Sequence, residues 1–554
     1  MKDYPWLSSY PKAVEWDHMI DPKPVYRILN TAVAEFPDNI AIDFLGTEIT
    51  YVELKSLVNR AAKGLKKLGV QKGTRVGILM PNCPQYIISY FAILRVGGIV
   101  VQLSPLLSEK ELSHQVEDSG TEIIIVTDLK LCYEKIVGIV GATGVKKVVV
   151  TNFKEYMPFI KGIAFSLIKY KDISPAHKDG RQVSWKELLD QHGDDEFEAT
   201  EIIPEKDVAV LQYTGGTTGS PKGAMLTHAN VYTNALQSVM WCYELERGKE
   251  RMLAVLPFFH IFAMTVVMNV GLQIGATIII HPKFDLLSVL KDIHKKKPTL
   301  MPGVPTMFNA INNYKEIDKY DLSSLKLCVC GGAPMPVEVK KSFENRAGCK
   351  LVEGYGLTEA SPVICFNPIS GEYREGSVGQ PFPQTTVTIE NLKNPGTRVP
   401  VGEVGELCVH GPQVMKGYWN KQEDTFEVLN NGKLRTGDIA KMDGDGYIYI
   451  VDRLKEMIIT GGFNVYPRNV EEVIYQHPAV KEAAVVGIPD QHMGQVVKVF
   501  IVFKKGKGIS EEDLRKFMKE NLAKYEVPRQ IEILKELPKT MIGKISKKDL
   551  VKKQ

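Results

Sequence analysis

One segment of the chain has the composition of a loop that binds phosphate. The segment from Tyr213 to His228, YTGGTTGSPKGAMLTH, directly follows an apolar run that ends at Gln212. Its glycines Gly215, Gly216 and Gly219 let backbone amides turn toward an anion. Hydroxyl donors and a cation accompany them: Thr214, Thr217, Thr218, Ser220 and Lys222. We predict an anion site here, with a plain Gly/Thr turn between strand and helix as the structural alternative.

This loop differs from the phosphate loop of the P-loop NTPases. That loop has the pattern GxxxxGK[ST], and here Pro221 stands where the glycine before Lys222 would be. The sequence therefore disfavours a P-loop NTPase, and other segments must decide which phosphate compound is bound.

Four further segments follow the loop along the chain. They are GYGLTE (354–359), TGDIA (436–440), DRLKEMIITGG (452–462) and PKTMIGKI (538–545). Together with the loop they resemble the adenylate-forming superfamily, which includes acyl-CoA synthetases, luciferases and the adenylation domains of peptide synthetases. The resemblance runs from near residue 25 to the end of the chain. Within it, LPFFHIFAMT (256–265), GGAPM (331–335) and GFNVYPRNVEEVI (462–474) resemble the long-chain fatty-acid–CoA ligases in particular.

The resemblance implies an ATP-dependent ligase. Such an enzyme activates a medium- or long-chain fatty acid as its acyl-adenylate and transfers it to coenzyme A, releasing AMP and pyrophosphate with the help of Mg²⁺. An aryl-acid CoA ligase and a non-catalytic lipid-binding relative are the alternatives, and a luciferase-like oxidase is a more distant one.

The resemblance also implies a set of site residues. The catalytic residues are Lys544, Thr358, Glu359 and His260. The ATP- and AMP-binding residues are Thr214, Gly215, Gly216, Thr217, Thr218, Gly219, Lys222, Gly331, Gly332, Ala333, Glu353, Gly354, Tyr355, Gly356, Thr358, Asp438 and Arg453. The magnesium ligands are Glu359 and Thr214, the hinge is Lys455, and the residues toward coenzyme A are Gly461 and Gly462.

Several of these roles also have a physical rationale in the residue types. Attack of a carboxylate on the α-phosphate of ATP brings two anions together, which calls for Mg²⁺ and preorganised cations. Glu359 supplies the hard oxygen that Mg²⁺ prefers, and Lys544 supplies a mobile cation. The alternatives are an ordinary charge at a helix start for Glu359 and one more surface lysine for Lys544.

The nucleoside half of ATP calls for other side chains. Tyr355 offers a flat face for adenine beside a Gly-Gly-Ala run, and Asp438 suits the two ribose hydroxyls, with Arg453 holding the sugar. A packing role for Tyr355 and a surface ion pair for Asp438 and Arg453 are the alternatives.

Two positions depart from the superfamily pattern. Ile542 precedes the Gly-Lys pair, at a position where a hydroxyl residue is common. Some fatty-acyl members also have an apolar residue at this position. Gly215 removes one hydroxyl donor from the phosphate loop, so Thr214, Thr217 and Thr218 must supply the rest.

The substrate prediction depends on what the matched motifs lack. Amino-acid-activating relatives pair the substrate ammonium with an acid, but LPFFHIFAM has none, and phenylalanines flank His260. The ten residues after Lys544 leave no room for a carrier-protein domain, which makes coenzyme A the expected acceptor. We therefore expect an apolar acid.

The secondary-structure elements that must position these residues are predicted to form an α/β fold. Short β-rich runs such as RVGILM (75–80), IVVQL (99–103), VAVLQYT (208–214) and LKLCVC (325–330) alternate with helix-length segments, which favours parallel sheets. The resemblance implies a large N-terminal domain, 1–451, and a mobile α+β C-terminal domain, 452–554. The former would contain α/β subdomains at about 1–200 and 201–370 and a small β-barrel at 371–451, where Gly and Pro punctuate short strands.

Composition sets the remaining limits. The chain of 554 residues has a net charge of +4, which disfavours a nucleic-acid partner. The eight scattered cysteines lack metal-ligand spacing, and the N-terminus lacks a signal peptide, so we expect buried thiols and a cytoplasmic protein. Residues 252–282 contain no charge, but breakers inside favour a buried helix and strand over a membrane span.

One helical segment is expected at the surface. Residues 154–171, KEYMPFIKGIAFSLIKYK, combine apolar residues at helical spacing with lysines, which predicts peripheral contact with the inner face of the membrane. An ordinary core-covering helix is the alternative. The sequence leaves the oligomeric state open, with a homodimer among the expected states.

Overall fold

The computed structural model describes residues 4–168, 170–175, 180–190, 197–214, 221–490, 492–540 and 543–551. In this part of the chain the α-helices, in chain order, are α1 (Arg27–Glu35), α2 (Tyr51–Lys67), α3 (Pro84–Arg95), α4 (Glu109–Ser119), α5 (Lys130–Ile139), α6 (Phe159–Ile168), α7 (Trp185–Asp190), α8 (His228–Trp241), α9 (Val270–Gln273), α10 (Leu286–Lys296), α11 (Pro305–Asn312), α12 (Val337–Ala347), α13 (Gln422–Val428), α14 (Pro467–Tyr475), α15 (Glu511–Asn521) and α16 (Lys547–Val551).

The strands are numbered in the same way. They are β1 (Ile40–Phe44), β2 (Thr47–Thr50), β3 (Arg75–Leu79), β4 (Ile99–Leu103), β5 (Ile123–Thr127), β6 (Lys147–Thr151), β7 (Gln182–Ser184), β8 (Val208–Thr214), β9 (Lys222–Thr227), β10 (Arg251–Ala254), β11 (Thr277–Ile280), β12 (Leu300–Gly303), β13 (Leu327–Cys330), β14 (Lys350–Gly356), β15 (Val363–Phe366), β16 (Gln380–Pro381), β17 (Thr386–Glu390), β18 (Gly405–His410), β19 (Gly417–Tyr418), β20 (Leu429–Asn430), β21 (Lys433–Met442), β22 (Ile448–Arg453), β23 (Ile458–Thr460), β24 (Phe463–Val465), β25 (Val480–Asp490), β26 (Gly494–Phe503) and β27 (Gln530–Ile533).

Two large mixed sheets form the first part of the molecule. One has the order β19-β9-β8-β4-β3-β5-β6-β7 and the other β16-β15-β14-β13-β12-β10-β11-β1-β2. Most neighbours pair in parallel, and the strands are short apolar runs that are buried on both faces. The predicted α/β class is confirmed.

Helices α3 and α8 fill the space between the two sheets. Every residue of α3 is buried, and α8 is buried around almost its whole circumference. A single core cluster joins Val76 and Ile78 of one sheet with Leu253 and Ile279 of the other. This continuous packing fixes the edges of the two sheets relative to each other.

The β unit predicted within residues 371–451 is an open sheet. Strands β17, β18, β21 and β20 pair antiparallel in that order, and β22 adds to β21. In this fully described stretch no pairing joins β17 to β20 or β22, so the small barrel that the resemblance implied is not closed. The register between β18 and β21 is irregular between Glu406 and Cys408.

The last sheet carries the C-terminal helices. Its order is β24-β23-β26-β25, with β27 parallel to β26, and α14 and α15 pack on one face around Val470, Ile474 and Leu514. The long β25–β26 hairpin corresponds to the two strands predicted from EAAVVGIPD and VVKVFIVF. This α+β arrangement agrees with the expected fold class.

The uncharged stretch 252–282 is buried in the second large sheet and its flanking helices. It contains most of β10, a π-helix at Ala263–Asn269, α9 and β11. Across the part of the chain that the structure describes, no helix combines the length and apolarity that a membrane crossing requires. Seven of the eight cysteines are buried and Cys242 is half-buried, as expected for unpaired thiols.

Candidate active site

A cleft of about 2470 Å³ opens where the carboxyl ends of the large sheets meet the open sheet and the C-terminal sheet. Carboxyl ends of parallel strands are the usual place for a ligand in such sheets. Residues from all four sheets line this cleft, from Gln102 on β4 to Lys548 on α16.

The phosphate loop is a hairpin connection between β8 and β9. Thr214 at the end of β8 pairs with Lys222 at the start of β9, and its Oγ1 donates to the Lys222 carbonyl at 3.4 Å. Both residues line the cleft. The predicted donors Gly215, Gly216, Thr217, Thr218 and Gly219 lie outside the described residues.

Next to this hairpin, Tyr418 contacts both the ammonium of Lys222 and the carboxylate of Glu359. The Lys222 ammonium pairs with Asp424 and lies 5.3 Å from the centre of the Tyr418 ring. The Tyr418 hydroxyl in turn donates to Glu359 Oε1 at 2.7 Å. Tyr418 therefore connects the two predicted phosphate- and metal-binding residues.

Glu359 lies on a single 3₁₀ turn, Thr358–Ala360, that follows β14. Burial of its carboxyl group raises the pKa of Glu359, and the Tyr418 hydrogen bond and the Arg453 charge oppose this rise. A cation near this carboxylate favours its ionised form. Thr358 on the same turn also lines the cleft.

The donor set fits a magnesium ion. The Glu359 carboxylate and the Thr214 hydroxyl are hard oxygens that line the same cleft. Mg²⁺ is commonly held by one or two carboxylates together with substrate phosphates and water. Among the described residues no group of three or more His, Cys, Asp or Glu side chains could hold a metal ion by itself.

Asp438 is the centre of a polar group formed by strand pairing. Asp438 on β21 is directly opposite Arg453 on β22, and Arg453 Nε lies 3.3 Å from Asp438 Oδ1. The Tyr355 hydroxyl on β14 donates to Asp438 Oδ2 at 2.5 Å. Burial raises the pKa of Asp438, and Arg453 opposes this rise by stabilising the carboxylate.

The Gly-Gly-Ala run after β13 makes one wall of the cleft. A Cβ on Gly331 would approach the Phe262 ring to 3.2 Å, and a Cβ on Gly332 would lie 2.9 Å from Cε of Lys544. Gly332 also has a φ of 81°, which favours glycine. Ala333 continues this wall of the cleft.

Strand β14 makes the adjoining wall and is crowded by its neighbours. A Cβ on Gly354 would meet the Phe366 ring at 2.5 Å, and one on Gly356 would meet the Pro362 carbonyl oxygen at 2.1 Å. Glu353 is buried and accepts a hydrogen bond from Tyr373 Oη at 2.9 Å. The glycines in GYGLTE therefore reflect close packing against β15 as well as space for a ligand.

Lys544 reaches the cleft from the C-terminal sheet. Its loop is braced by Thr306 at the start of α11, whose Oγ1 donates to the Gly543 carbonyl at 3.1 Å. Burial, together with the Arg453 charge, lowers the pKa of Lys544 to about 8, while Asp438 and Glu456 oppose this decrease. The Lys544 ammonium therefore lies in the cleft, where its charged form is less stable than it would be in water.

His260 lies at the start of the apolar part of the cleft. Its Nδ1 accepts the backbone N–H of Phe262 at 3.2 Å. Burial, together with the Lys544 charge, lowers the pKa of His260 to about 3, so the ring is neutral at physiological pH. Since Nδ1 is an acceptor, the ring proton is on Nε2, which is available to donate.

The predicted hinge and coenzyme A residues differ in their location. Lys455 lines the cleft and lies in a turn in which the Glu456 N–H donates to the Arg453 carbonyl at 3.0 Å. Gly461 and Gly462 form the turn between β23 and β24 and are not among the cleft residues. The structure therefore groups the hinge residue with those predicted ATP-binding residues that it describes, and leaves the predicted coenzyme A residues outside.

Comparison with known proteins identifies the family. The model of the AMP-binding enzyme family matches residues 29–419, and the model of its C-terminal domain matches residues 469–544. The chain belongs to the AMP-binding enzyme family. This confirms the resemblance to adenylate-forming enzymes.

Relatives of this AMP-binding enzyme match it over nearly its whole length. A long-chain-fatty-acid–CoA ligase of Bacillus subtilis is 43% identical, covering 99% of this chain and 98% of the relative. One of Escherichia coli O6:H1 is 40% identical, covering 98% and 97%. The crystal structure of the anthranilate CoA ligase AuaEII with anthranoyl-AMP superposes with a TM-score of 0.85 at 27% identity, covering 97% and 98%.

Several residues of the cleft of this AMP-binding enzyme were not predicted from the sequence. Tyr418 reaches Glu359 because β19 pairs with β9, and Asp424 reaches Lys222 from α13. Thr306 holds the Lys544 loop from more than 200 residues away in sequence. No local motif marks these residues, since each depends on a long-range contact.

Proposed function

We propose that this enzyme ligates a long-chain fatty acid to coenzyme A in two steps, through an acyl-adenylate. The observation that carries the proposal is the half-buried ammonium of Lys544, which lies against Gly332 and near Asp438 and Arg453. A cation at this position faces the cleft that the predicted ATP-binding residues surround. The names of the curated relatives support the fatty-acid substrate and the coenzyme A acceptor.

The first step forms the acyl-adenylate. Tyr355 and the Gly-Gly-Ala wall receive the adenine, and Asp438 accepts the ribose hydroxyls. Lys544 donates to the carboxylate and the α-phosphate, and thereby reduces the repulsion between the two anions and stabilises the charge that develops as the bond forms. Glu359 and Thr214 would hold a magnesium ion, whose charge would offset that of the phosphates.

The acyl chain occupies the apolar part of the cleft. Phe262, Val266 and Val270 line it along the π-helix and α9. Met252 and Leu300, which pair with each other near the amino ends of β10 and β12, line it as well. Two of the lining residues are Leu300, the first residue of β12, and Val304, which directly follows the strand. They are four residues apart, which corresponds to about 13 Å at strand spacing. A channel of this depth suits an alkyl chain better than a single aromatic ring.

The second step requires the C-terminal unit to move. We propose that the C-terminal domain, predicted as 452–554, rotates about Lys455. The residues after Lys455 move, whereas Asp452 and Arg453 at the end of β22 stay with the N-terminal domain, 1–451, and its α/β parts at about 1–200 and 201–370. Gly461 and Gly462, which lie outside the cleft in this conformation, then face the pantetheine arm. Movement of a closing element between two chemical steps is a common way for one site to perform both.

A panel of acids tests the proposed function. Purified enzyme is given ATP, Mg²⁺, coenzyme A and one acid at a time, and pyrophosphate and acyl-CoA are measured. We expect the highest kcat/KM with long-chain fatty acids. Preference for aryl acids would replace the substrate proposal, acid binding with no pyrophosphate would support a lipid-binding protein, and oxygen consumption would indicate an oxidase.

We further propose peripheral membrane contact through α6. Five large apolar side chains of this helix are exposed: Phe159, Ile160, Ile163, Leu167 and Ile168. Lys154 and Lys161 accompany them, bonded to Ser166 and to the Leu45 carbonyl. An exposed apolar face with basic neighbours is typical of helices that lie in a membrane interface.

Vesicle flotation tests the membrane contact with a matched control. We expect the enzyme to float with anionic vesicles and the Ile160→Ser, Ile163→Ser, Leu167→Ser variant to remain in the pellet fraction. The control changes Leu131, Val401 and Ile533, which are also exposed, to serine and should float like the wild type. Equal flotation of both triple variants rejects α6 as the contact. The homodimer stays a prediction that light scattering can decide.

A further inference from the structure

Helix α14 begins against strand β22, and the contact joins the two sides of the proposed hinge. The cap residue of α14, Tyr466, provides no side-chain hydrogen bond to the helix. Instead, Asp452 Oδ2 on β22 accepts the backbone N–H of Arg468 at 3.0 Å. A carboxylate at a helix N-terminus satisfies an exposed N–H and interacts favourably with the helix dipole.

The side chain of Arg468 makes a second contact with the same strand. Its Nη1 donates to the carbonyl oxygen of Ile450, and its Nε donates to Glu472 Oε1 at 3.0 Å within α14. Only 10% of the side chain is exposed. The guanidinium also stabilises the carboxylate of Glu353, whose pKa burial raises and Arg468 lowers.

A neighbouring ion cluster keeps this end of α14 close to the Lys544 loop. Lys547, three residues after Lys544, lies 2.9 Å from Glu471 on α14 and 3.2 Å from Glu456 in the hinge turn. The position of α14 therefore contributes to the position of the Lys544 loop, which Thr306 also holds. A contact that fixes α14 on β22 also fixes Lys544 in the cleft.

The two Arg468 contacts must break if the chain rotates at Lys455. Ile450 and Asp452 precede this residue and Arg468 follows it, so rotation moves the partners apart. By contrast, the bonds from Arg468 to Glu472 and from Lys547 to Glu471 and Glu456 lie wholly after the hinge and move as a unit.

We propose that Arg468 is a positioning residue that latches the C-terminal unit in the adenylation arrangement by holding β22. The inference rests on the proposed two-step reaction. The latch stabilises the conformation in which Lys544 is in the cleft and contributes nothing once the unit has rotated. Its loss therefore slows the first step and leaves the second step unchanged or faster.

The test measures the two steps separately in Arg468→Met, which keeps the unbranched apolar part of the side chain and removes the guanidinium with its charge and donors. Adenylation is followed as single-turnover pyrophosphate release, and transfer as acyl-CoA formed from supplied acyl-adenylate. We expect adenylation to fall about 10- to 100-fold, the effect of losing charge-assisted hydrogen bonds, with transfer unchanged. Arg468→Lys should recover part of the loss.

Arg515→Met provides the matched control. Arg515 on α15 also bonds an acid one turn away, Glu511, and donates to backbone carbonyls, those of Pro528 and Arg529, but all these partners follow the hinge. Arg515→Met should change the free energy of unfolding in urea without changing the ratio of the adenylation rate to the transfer rate. Asp452→Asn, which keeps the acceptor and removes the charge, should shift the ratio in the same direction as Arg468→Met and decides the question if Arg468→Met does not fold.

The outcomes separate the latch from the proposed function. If the wild type forms acyl-CoA and Arg468→Met lowers both steps equally, or matches Arg515→Met in the ratio, the latch is wrong. If the wild type forms no acyl-adenylate from any fatty acid, the proposed function fails before the latch is tested.

Discussion

The charge of Lys544 should set the alkaline limit of adenylation. The pKa of Lys544 is lowered to about 8 by burial and by the Arg453 charge. The protonated form is the one that donates to the anions, so activity requires a pH below this value. About nine tenths of the side chains are charged at pH 7 and about one tenth at pH 9, given a pKa of about 8.

The expected profile has a definite magnitude. The kcat/KM for adenylation reports the free enzyme, and should fall about tenfold per pH unit above pH 8. Lys544→Ala should lose on the order of 10² to 10³ at pH 7, the effect of removing one transition-state donor. Because the neutral wild-type lysine provides no cation, the wild-type and alanine curves should converge near pH 10.

The assay is single-turnover pyrophosphate release from pH 6 to pH 10 with ATP and the fatty acid both below saturation. Lys544→Arg is the control, since a guanidinium stays charged throughout this range and should remove the alkaline decrease, whatever its absolute rate. His260 should not contribute, because its pKa of about 3 keeps it neutral. Parallel wild-type and Lys544→Arg profiles, or an alanine variant with a normal rate at pH 7, would refute the assignment of the cation.

Three further predictions concern other residues of the site. Glu359→Gln should raise the Mg²⁺ concentration needed for half-maximal adenylation at least about tenfold, because it removes a charge and keeps the shape; an unchanged Mg²⁺ titration contradicts its role as a ligand. Asp438→Asn should raise the KM for ATP about tenfold through weaker ribose bonds, and an unchanged KM would place the ribose elsewhere. Gly462→Leu should adenylate but fail to transfer. The control Gly506→Leu, at a position with a similar left-handed backbone and open surroundings, should only lower the free energy of unfolding in urea by about 1–2 kcal/mol. Equal loss of transfer in both variants rejects the coenzyme A assignment.

Local patterns predicted the strands of the large sheets well. The runs at 75–80, 99–103 and 208–214 lie within one or two residues of β3, β4 and β8, because continuous apolar runs are required where both faces of a strand are buried. The motif positions predicted that Asp438 and Arg453 both bind the ribose, and the antiparallel pairing of β21 and β22 places the two residues opposite each other.

Long-range contacts could not be predicted in the same way. Whether the strands of 371–451 close into a barrel depends on which edges pair, and the alternation of residues is the same in an open sheet. Tyr418 reaches Glu359 through the edge pairing of β19 with β9, and the helix-capping role of Asp452 depends on the docking of α14. None of these leaves a periodic signal in the sequence.

The peptide link through Lys455 also determines how the Lys544 cation is delivered. The turn that contains Lys455 directly continues β22, whose residue Arg453 lines the same cleft, so the C-terminal unit stays tethered at the edge of the cleft even when it has rotated away. Its return is an intramolecular event, governed by an effective concentration of the order of millimolar and independent of how dilute the enzyme is. Separate chains cut at Lys455 would have to find each other by diffusion, and their activity would then depend on protein concentration.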